Sequence, residues 1–431
     1  MPKKKVSLDV TKPDNFTYDM SRCIKCKGCY WVDHIYMPGI KFSTKCPSAT
    51  HYLFDAYGAY GKLRIGLGLM EGRLDYSDEL LKILYACPLC GACDVGCKRN
   101  LDLEIELTLE ALRVKAVKDG HGPPPAHRRI ADNITRSHNR FGVQHTGRHQ
   151  WLPSDITPAA KAELLYFVGC SATYMHTEIA RSTAQVLSSS GTEFMLMSDE
   201  WCCGNVPFSV GMIDQAKELA KHNIEAIKQA GATTVLTSCA ECYRTLKVDY
   251  PKMLNISTAD LGFKVVHLVE LVDELVKTGN LKLSNRLDLR LAYHDSCSLS
   301  RLSEPWLEWQ GERGLWGVVD PPVERRRGSN GVYQPPRDIL NAIPGVELLE
   351  TPRKRENNWC CGAGRGTKEV FPEFARWAAE KKFEEVKEVS AEAIVSACPW
   401  CKENFVISAR LTGNEIKIFD ISELIAAAIS R

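Results

Sequence analysis

The chain has 431 residues, 44% of them apolar, and a formal net charge of +2 at pH 7. That length builds two or three domains with sizeable cores, and the near-neutral balance excludes a strongly basic nucleic-acid-binding surface. No apolar run is long enough to span a membrane, and the basic start MPKKK lacks the apolar stretch of an export signal, so a cytoplasmic protein is expected. Against this ordinary background stand 18 cysteines. In a reducing compartment that number reads as metal ligands, not disulfides.

The first eight cysteines form two close sets. Cys23, Cys26 and Cys29 are followed after 16 residues by Cys46-Pro47, while Cys87, Cys90, Cys93 and Cys97 lie together. Three thiolates at two-residue spacing wrap three corners of a [4Fe-4S] cube, and in two-cluster ferredoxins the fourth cysteine of each run serves the other cube. The expected partition is Cys23, Cys26, Cys29 and Cys97 on one cube, with Cys46, Cys87, Cys90 and Cys93 on the second. The chain departs from the usual run twice. Lys98 stands where a proline commonly follows the last cysteine, and YWVDHIYMPGIKFSTK stretches the gap before Cys46. Zinc ribbons would show CxxC pairs, not triplets.

Beyond Cys97, the run from Leu101 reads as a helix that Asp102 caps, with Ile105, Leu109, Leu112 and Ala116 on one face. Residues 121–160 hold Pro123–Pro125 and His121, His127, His138, His145 and His149, with little periodicity. They read as a linker packed over the ferredoxin-type half, and a histidine metal site is not expected there.

The last ten cysteines repeat a pattern. Cys170, Cys202-Cys203 and Cys239-Ala-Glu-Cys242 are matched by Cys297, Cys360-Cys361 and Cys398-Pro-Trp-Cys401. The gaps from the doubled cysteine to the CxxC pair are 35 and 36 residues, whereas the leading gaps are 31 and 62. Adjacent cysteines bridge each other only with strain, so WCCGN (Trp201–Asn205) and WCCGA (Trp359–Ala363) read as two ligands to one centre. Gly204 and Gly362 then let the backbone turn beside it. TTVLTSCAECYRTL aligns with EAIVSACPWCKENF, and KVVHLVELVDELV with IKIFDISELIAAAI, each an apolar strand running into a helix. ELLYFVGC and LRLAYHDSC lead each copy as strands, and IDQAKELAKHNIEAIKQAG and PEFARWAAEKKFEEVKEV have helical period. Two α/β units with parallel sheets are expected. Their ligands would sit at strand C-termini and helix N-termini, where free N–H groups favour thiolates.

This five-cysteine pattern resembles the cysteine-rich CCG domain of the heterodisulfide reductase family, over roughly residues 161–431. With a two-cluster ferredoxin in front, the order is similar to the HdrD-type subunit. Within the family it is similar to the HdrD-like electron-transfer subunit of class II benzoyl-CoA reductase complexes of strict anaerobes. The resemblance implies a non-cubane [4Fe-4S] cluster on Cys170, Cys202, Cys203, Cys239 and Cys242, and another on Cys297, Cys360, Cys361, Cys398 and Cys401. In some relatives one copy holds zinc instead. It also implies flavin- and iron–sulfur-containing partner subunits.

The expected organisation is a helical two-cluster domain over residues 1–120, a linker over 121–160 and CCG domains over 161–285 and 286–431. The second carries an insertion near 303–334 with Trp306, Trp309, Trp316 and Arg325–Arg327, read as a surface loop or a subunit contact. His294 and Asp295 read as proton relays or as a structural pair at the sheet edge. GAGRG at Gly362–Gly366 is not a dinucleotide fingerprint, because it follows cysteines instead of a strand. Three functions fit: an electron-transfer subunit, a disulfide reductase that uses the five-cysteine centre, and a zinc-stabilised scaffold.

Overall fold

A computed structural model describes residues 6–37, 39–98, 101–314, 318–322 and 326–429; the MPKKK start, Trp316 and Arg325 lie outside them. The first 120 residues are mainly helical. The helix Ala59–Met70 packs on the helices Thr17–Arg22 and Ile105–Lys118. The expected helix after Cys97 therefore exists, but it starts later and is not capped by Asp102. Asp102 takes a left-handed φ of 54°, and the Asp94 carboxylate accepts the free N–H groups of Ile105 and Glu106, each at 3.1 Å. A side chain from the preceding cysteine helix thus does the capping.

Among the described residues ten strands make three sheets. They are β1 (Val6–Ser7), β2 (Leu164–Tyr166), β3 (Thr234–Thr237), β4 (Lys264–His267), β5 (Leu289–His294), β6 (Gln310–Arg313), β7 (Val319–Asp320), β8 (Val346–Leu349), β9 (Ala393–Ser396) and β10 (Lys417–Asp420). The orders are β2-β3-β4 and β10-β9-β5-β8, all parallel, and β1-β6-β7, antiparallel. A parallel bridge from Leu165 to Met195 extends the first sheet at the position that β8 holds in the second. The repeat expected from the cysteines is thus a repeat of sheet topology. Their strands are short and apolar because helices cover them: the interior residues of β3 and all four of β9 are buried.

The two α/β units interlock. The final helix, Ile421–Ala428, packs on Thr177–Ser189 of the first unit, and Leu268–Lys277 packs on Gln334–Ala342 of the second. Lys402 bridges Glu178 at 2.7 Å and Glu423 at 2.8 Å across the same boundary.

Two segments differ from the sequence reading. Residues 121–160 begin over the ferredoxin-type half, where His121 stacks on Tyr76, but they are not irregular throughout and do not stay there. Pro125 starts a helix to Ser137 that packs on helices Asn205–Ser209 and Thr367–Val370 of the two α/β units. Its apolar positions, Ile130, Ala131 and Ile134, are few enough to hide among the charges around them. The insertion is no free surface loop either. Strand β6 pairs with β1, Trp306 and Trp309 are buried, and Arg313 grips the Asp19 carboxylate at 2.6 Å. It braces the second α/β unit against the N-terminal half.

Candidate metal centres

All 18 cysteines are free thiols. In the N-terminal half the stretched gap folds out and back as a hairpin, with a bridge from Trp31 to Thr44 and Lys45 N–H donating to Tyr30 O at 2.8 Å. The hairpin delivers Cys46 to the start of helix Pro47–Tyr52. There Cys46, Cys87, Cys90 and Cys93 line one hollow with Lys62. Cys97 lies in the field of Cys23, and Cys29 faces Cys23, Cys97 and Cys46, since the two sets adjoin. Cys26 is exposed. The place of the missing proline is taken by a buried Lys98, which pairs with Glu104 at 2.6 Å.

The ten remaining thiols form two chains in the same order. In the first unit Cys170 touches Cys202, which touches Cys203, then Cys242, then Cys239. In the second, Cys297 touches Cys360, then Cys361, Cys401 and Cys398, with 3.3 Å between the Cys401 and Cys361 sulfurs. Cys239 and Cys398 sit at the N-termini of their helices. Close approach explains two glycines. A Cβ at Gly169, φ +74°, would meet the Cys242 sulfur at 2.8 Å, and one at Gly362, φ +88°, would meet the Ala378 Cβ at 2.6 Å.

The sets are also joined to one another, which the sequence does not reveal. Cys90 of the N-terminal half contacts Cys360, and Cys239 of the first unit contacts Cys398 of the second.

Such crowding has an electrostatic consequence. Burial first, then Cys46 and Cys97, push the Cys29 thiol far up; burial and the Cys87 thiolate hold Cys46 at about 11 although Lys62 pulls it down. Burial chiefly holds Cys97 at about 12. Thiolate sets of this kind are stable only around a multivalent cation, and all-sulfur donor sets suit iron–sulfur clusters or zinc. The residues fit the group. Arginines pin the backbone around them: half-buried Arg64 donates to Cys23 O, buried Arg113 to Cys87 O and buried Arg301 to Cys90 O, each at 2.6 Å. Arg365, within the GAGRG run, reaches Leu89 O and the Glu106 carboxylate. None of these arginines carries a motif, so spacing could not single them out.

His294 lies against the second chain of thiols, where its ring nitrogen and the Cys361 and Cys401 sulfurs fall within 4.8 Å of one another. It is not a sheet-edge residue; Asn358 Nδ2 approaches its Nδ1 at 3.3 Å. Asp295 is structural, held by Arg337 at 2.8 and 2.9 Å and accepting Arg355 N–H at 2.7 Å. Among the described linker histidines, His138 stacks on Trp201 and His127 meets Gly366 O at 2.7 Å.

Comparison with known proteins agrees with this layout. The family model for a 4Fe-4S dicluster domain matches residues 19–101, and that for a cysteine-rich (CCG) domain matches 164–247 and 323–405. Cys297 lies outside the second match, yet the fold brings it to Cys360. The chain is an iron–sulfur oxidoreductase subunit. It is 34% identical, over its full length and 99% of the relative, to the D-type subunit of the dihydromethanophenazine:CoB–CoM heterodisulfide reductase of Methanosarcina acetivorans. It is 27% identical, over 97% of this chain and 75% of the relative, to the B-type subunit of the CoM/CoB fumarate reductase of Methanothermobacter marburgensis. It is also 25% identical, over 84% of this chain and 48% of the relative, to the EtfAB:quinone oxidoreductase of Syntrophomonas wolfei. A Helicobacter pylori protein of solved structure shares the fold, at TM-score 0.52 and 10% identity over 87% of this chain and 68% of its own. The chain belongs to the HdrD family of heterodisulfide reductase subunits. Among the described residues no helix is long and apolar enough to cross a membrane.

Proposed function

We propose that the chain is the electron-relay subunit of a multi-subunit redox complex, with two [4Fe-4S] cubes in the N-terminal half and a non-cubane cluster in each α/β unit. The domain limits expected from the sequence, 1–120, 161–285 and 286–431, assign one cube pair and two single centres to them. When bound, the clusters supply reversible one-electron transfer at potentials set by charge, hydrogen bonds and exposure. The chain itself supplies the order. Cys26 reaches solvent, the Cys90–Cys360 contact joins the halves and the Cys239–Cys398 contact joins the units. The Cys90–Cys360 contact carries the proposal, because a scaffold has no reason to set separate metal sites edge to edge. Flavin- and iron–sulfur-containing partners supply the other ends, and benzoyl-CoA reduction is the complex that the resemblance assigns.

The test is anaerobic purification with iron, sulfide and zinc analysis and EPR-monitored titration. About sixteen irons in interacting clusters support the relay; a colourless zinc protein overturns it. Addition of benzoyl-CoA to the native complex, reduced beforehand, tests the assigned acceptor: the clusters must reoxidise.

A second reading, reduction of a disulfide substrate, is favoured by the part-exposed Cys170 and Cys297 and by what the Methanosarcina relative is named for. Rapid reoxidation of the isolated, reduced chain by the CoB–CoM heterodisulfide would establish it.

A further inference from the structure

The hairpin between Cys29 and Cys46 does more than deliver a ligand. It has a small core of its own, Val32, Met37 and Phe42, and is fastened to the second α/β unit by Lys41 to Glu388 at 2.5 Å and by Arg353 over the Phe42 ring. From this supported frame it holds Trp31, Ile35, Tyr36 and Ile40 out in solvent, Ile35 at 71% and Ile40 at 89% exposure. Ile24, Leu53 and Phe54 are exposed as well. Among the described residues, seven of the 14 exposed large apolar side chains thus fall within residues 24–54. The Lys27–Asp55 ion pair ties Phe54 to the Cys26 loop, and Gly28 and Trp31 line one hollow. Cys26 is the most exposed of the 18 cysteines, and it stands in this segment between Ile24 and Trp31.

Solvent-exposed apolar groups in one place mark an interaction surface. We propose that this face is the docking site for a protein electron carrier, one whose own redox group lies beside an apolar patch with an acidic rim. The carrier must be a redox protein because the same segment holds Cys26, the most exposed of the candidate cluster ligands. It must be acidic at its edge because the solvent-reaching charges of Arg22–Asp55 are Arg22, Lys25, Lys27 and Lys41 against Asp33 and Asp55, Lys45 being buried. Opposite charge of this kind speeds encounter and fixes orientation. The inference rests on the relay reading above and assigns its entry point.

The test uses the reconstituted full chain and, as probe, an acidic flavodoxin in its fully reduced form, with cluster bleaching followed by stopped flow. Ile35→Glu with Phe54→Glu is compared with Leu411→Glu, a control 65% exposed on the helix Pro399–Thr412 of the second α/β unit. Expected is a fall of at least tenfold in the second-order rate for the double variant and none for the control. Iron content and reduction by dithionite, which needs no docking, should be unchanged in both. Equal rates in all three proteins overturn the docking site, while absence of iron in the parent overturns the relay reading instead. Sedimentation with phosphatidylglycerol vesicles separates the membrane alternative: vesicle binding lost in the double variant with flavodoxin kinetics intact assigns the face to lipid and sinks the proposal.

Discussion

The Cys90 thiol, in the N-terminal half, touches the Cys360 thiol in the second α/β unit, and Arg301 stands over the junction. Its Nε donates to Cys90 O at 2.6 Å, and its NH1 donates to Glu356 O and Asn358 O at 2.9 and 2.6 Å. One buried cation therefore holds both ligand loops and places positive charge between them.

Replacing Arg301 by Gln removes the charge and leaves at least one of those carbonyls unmatched. The expected loss of stability is on the order of 2–3 kcal/mol, the range for a charged hydrogen bond with an orphaned buried partner. The nearest cluster should become harder to reduce, by roughly 60 mV if the lost stabilisation is tenfold for one electron. EPR potentiometry on the variant checks the direction; an unchanged potential would show that the guanidinium acts on the backbone alone.

The exchange of fourth ligands between the cysteine runs is testable by single replacements. Cys97→Ser should remove the cube built on Cys23, Cys26 and Cys29, and Cys46→Ser the one built on Cys87, Cys90 and Cys93, with about four irons lost each time. The two variants should leave different EPR signals behind. If Cys46→Ser abolishes the same signal as Cys29→Ser, the partition is wrong.

Much of this arrangement is legible in the sequence because period and spacing are local. Strands β3 and β9 stand directly before the CxxC pairs, and the glycine after each doubled cysteine adopts the left-handed backbone its position suggested. What escapes is non-local or unpatterned. The helix Pro125–Ser137 buries a narrow stripe behind three prolines and an arginine pair, so its period is faint. The cap of Ile105–Lys118 comes from Asp94, a helix away, and local rules favour the nearer Asp102. The Cys239–Cys398 and Cys90–Cys360 contacts depend on how whole units dock, which no spacing encodes. In the insertion, the tryptophans read as part of a surface loop or as a subunit contact; the pairing of β6 with β1 and the burial of Trp306 and Trp309 show internal packing instead.

That internal role makes the insertion a stability element. Asp19 is fully buried, accepts Glu104 N–H at 2.7 Å and holds both oxygens against Arg313. Asp19→Asn strands the guanidinium without its counter-charge, and breaking a buried pair in this way costs about 3–5 kcal/mol. Pairing it with Arg313→Gln should recover part of that loss. Denaturant unfolding of the four-member set measures the coupling; simple additivity would remove the brace from the account.

His127 sets a pH limit. Its ring is buried against Gly366 O, and burial depresses its pKa to about 4, with Arg113 acting in the same direction. The folded protein therefore keeps the ring neutral, while an unfolded chain takes up a proton near pH 6.5. As pH falls from about 6.5 towards about 4, the unfolded state binds the extra proton, so stability declines by about 1.4 kcal/mol per pH unit. Above pH 6.5 the contribution is complete and flat. His127→Gln retains a donor for Gly366 O but cannot titrate. The difference in unfolding free energy between parent and variant should thus shrink from pH 7.5 to pH 5.5, by slightly over 1 kcal/mol by the same relation. A pH-independent difference would mean that the unfolded and folded chains protonate His127 alike, which its burial forbids.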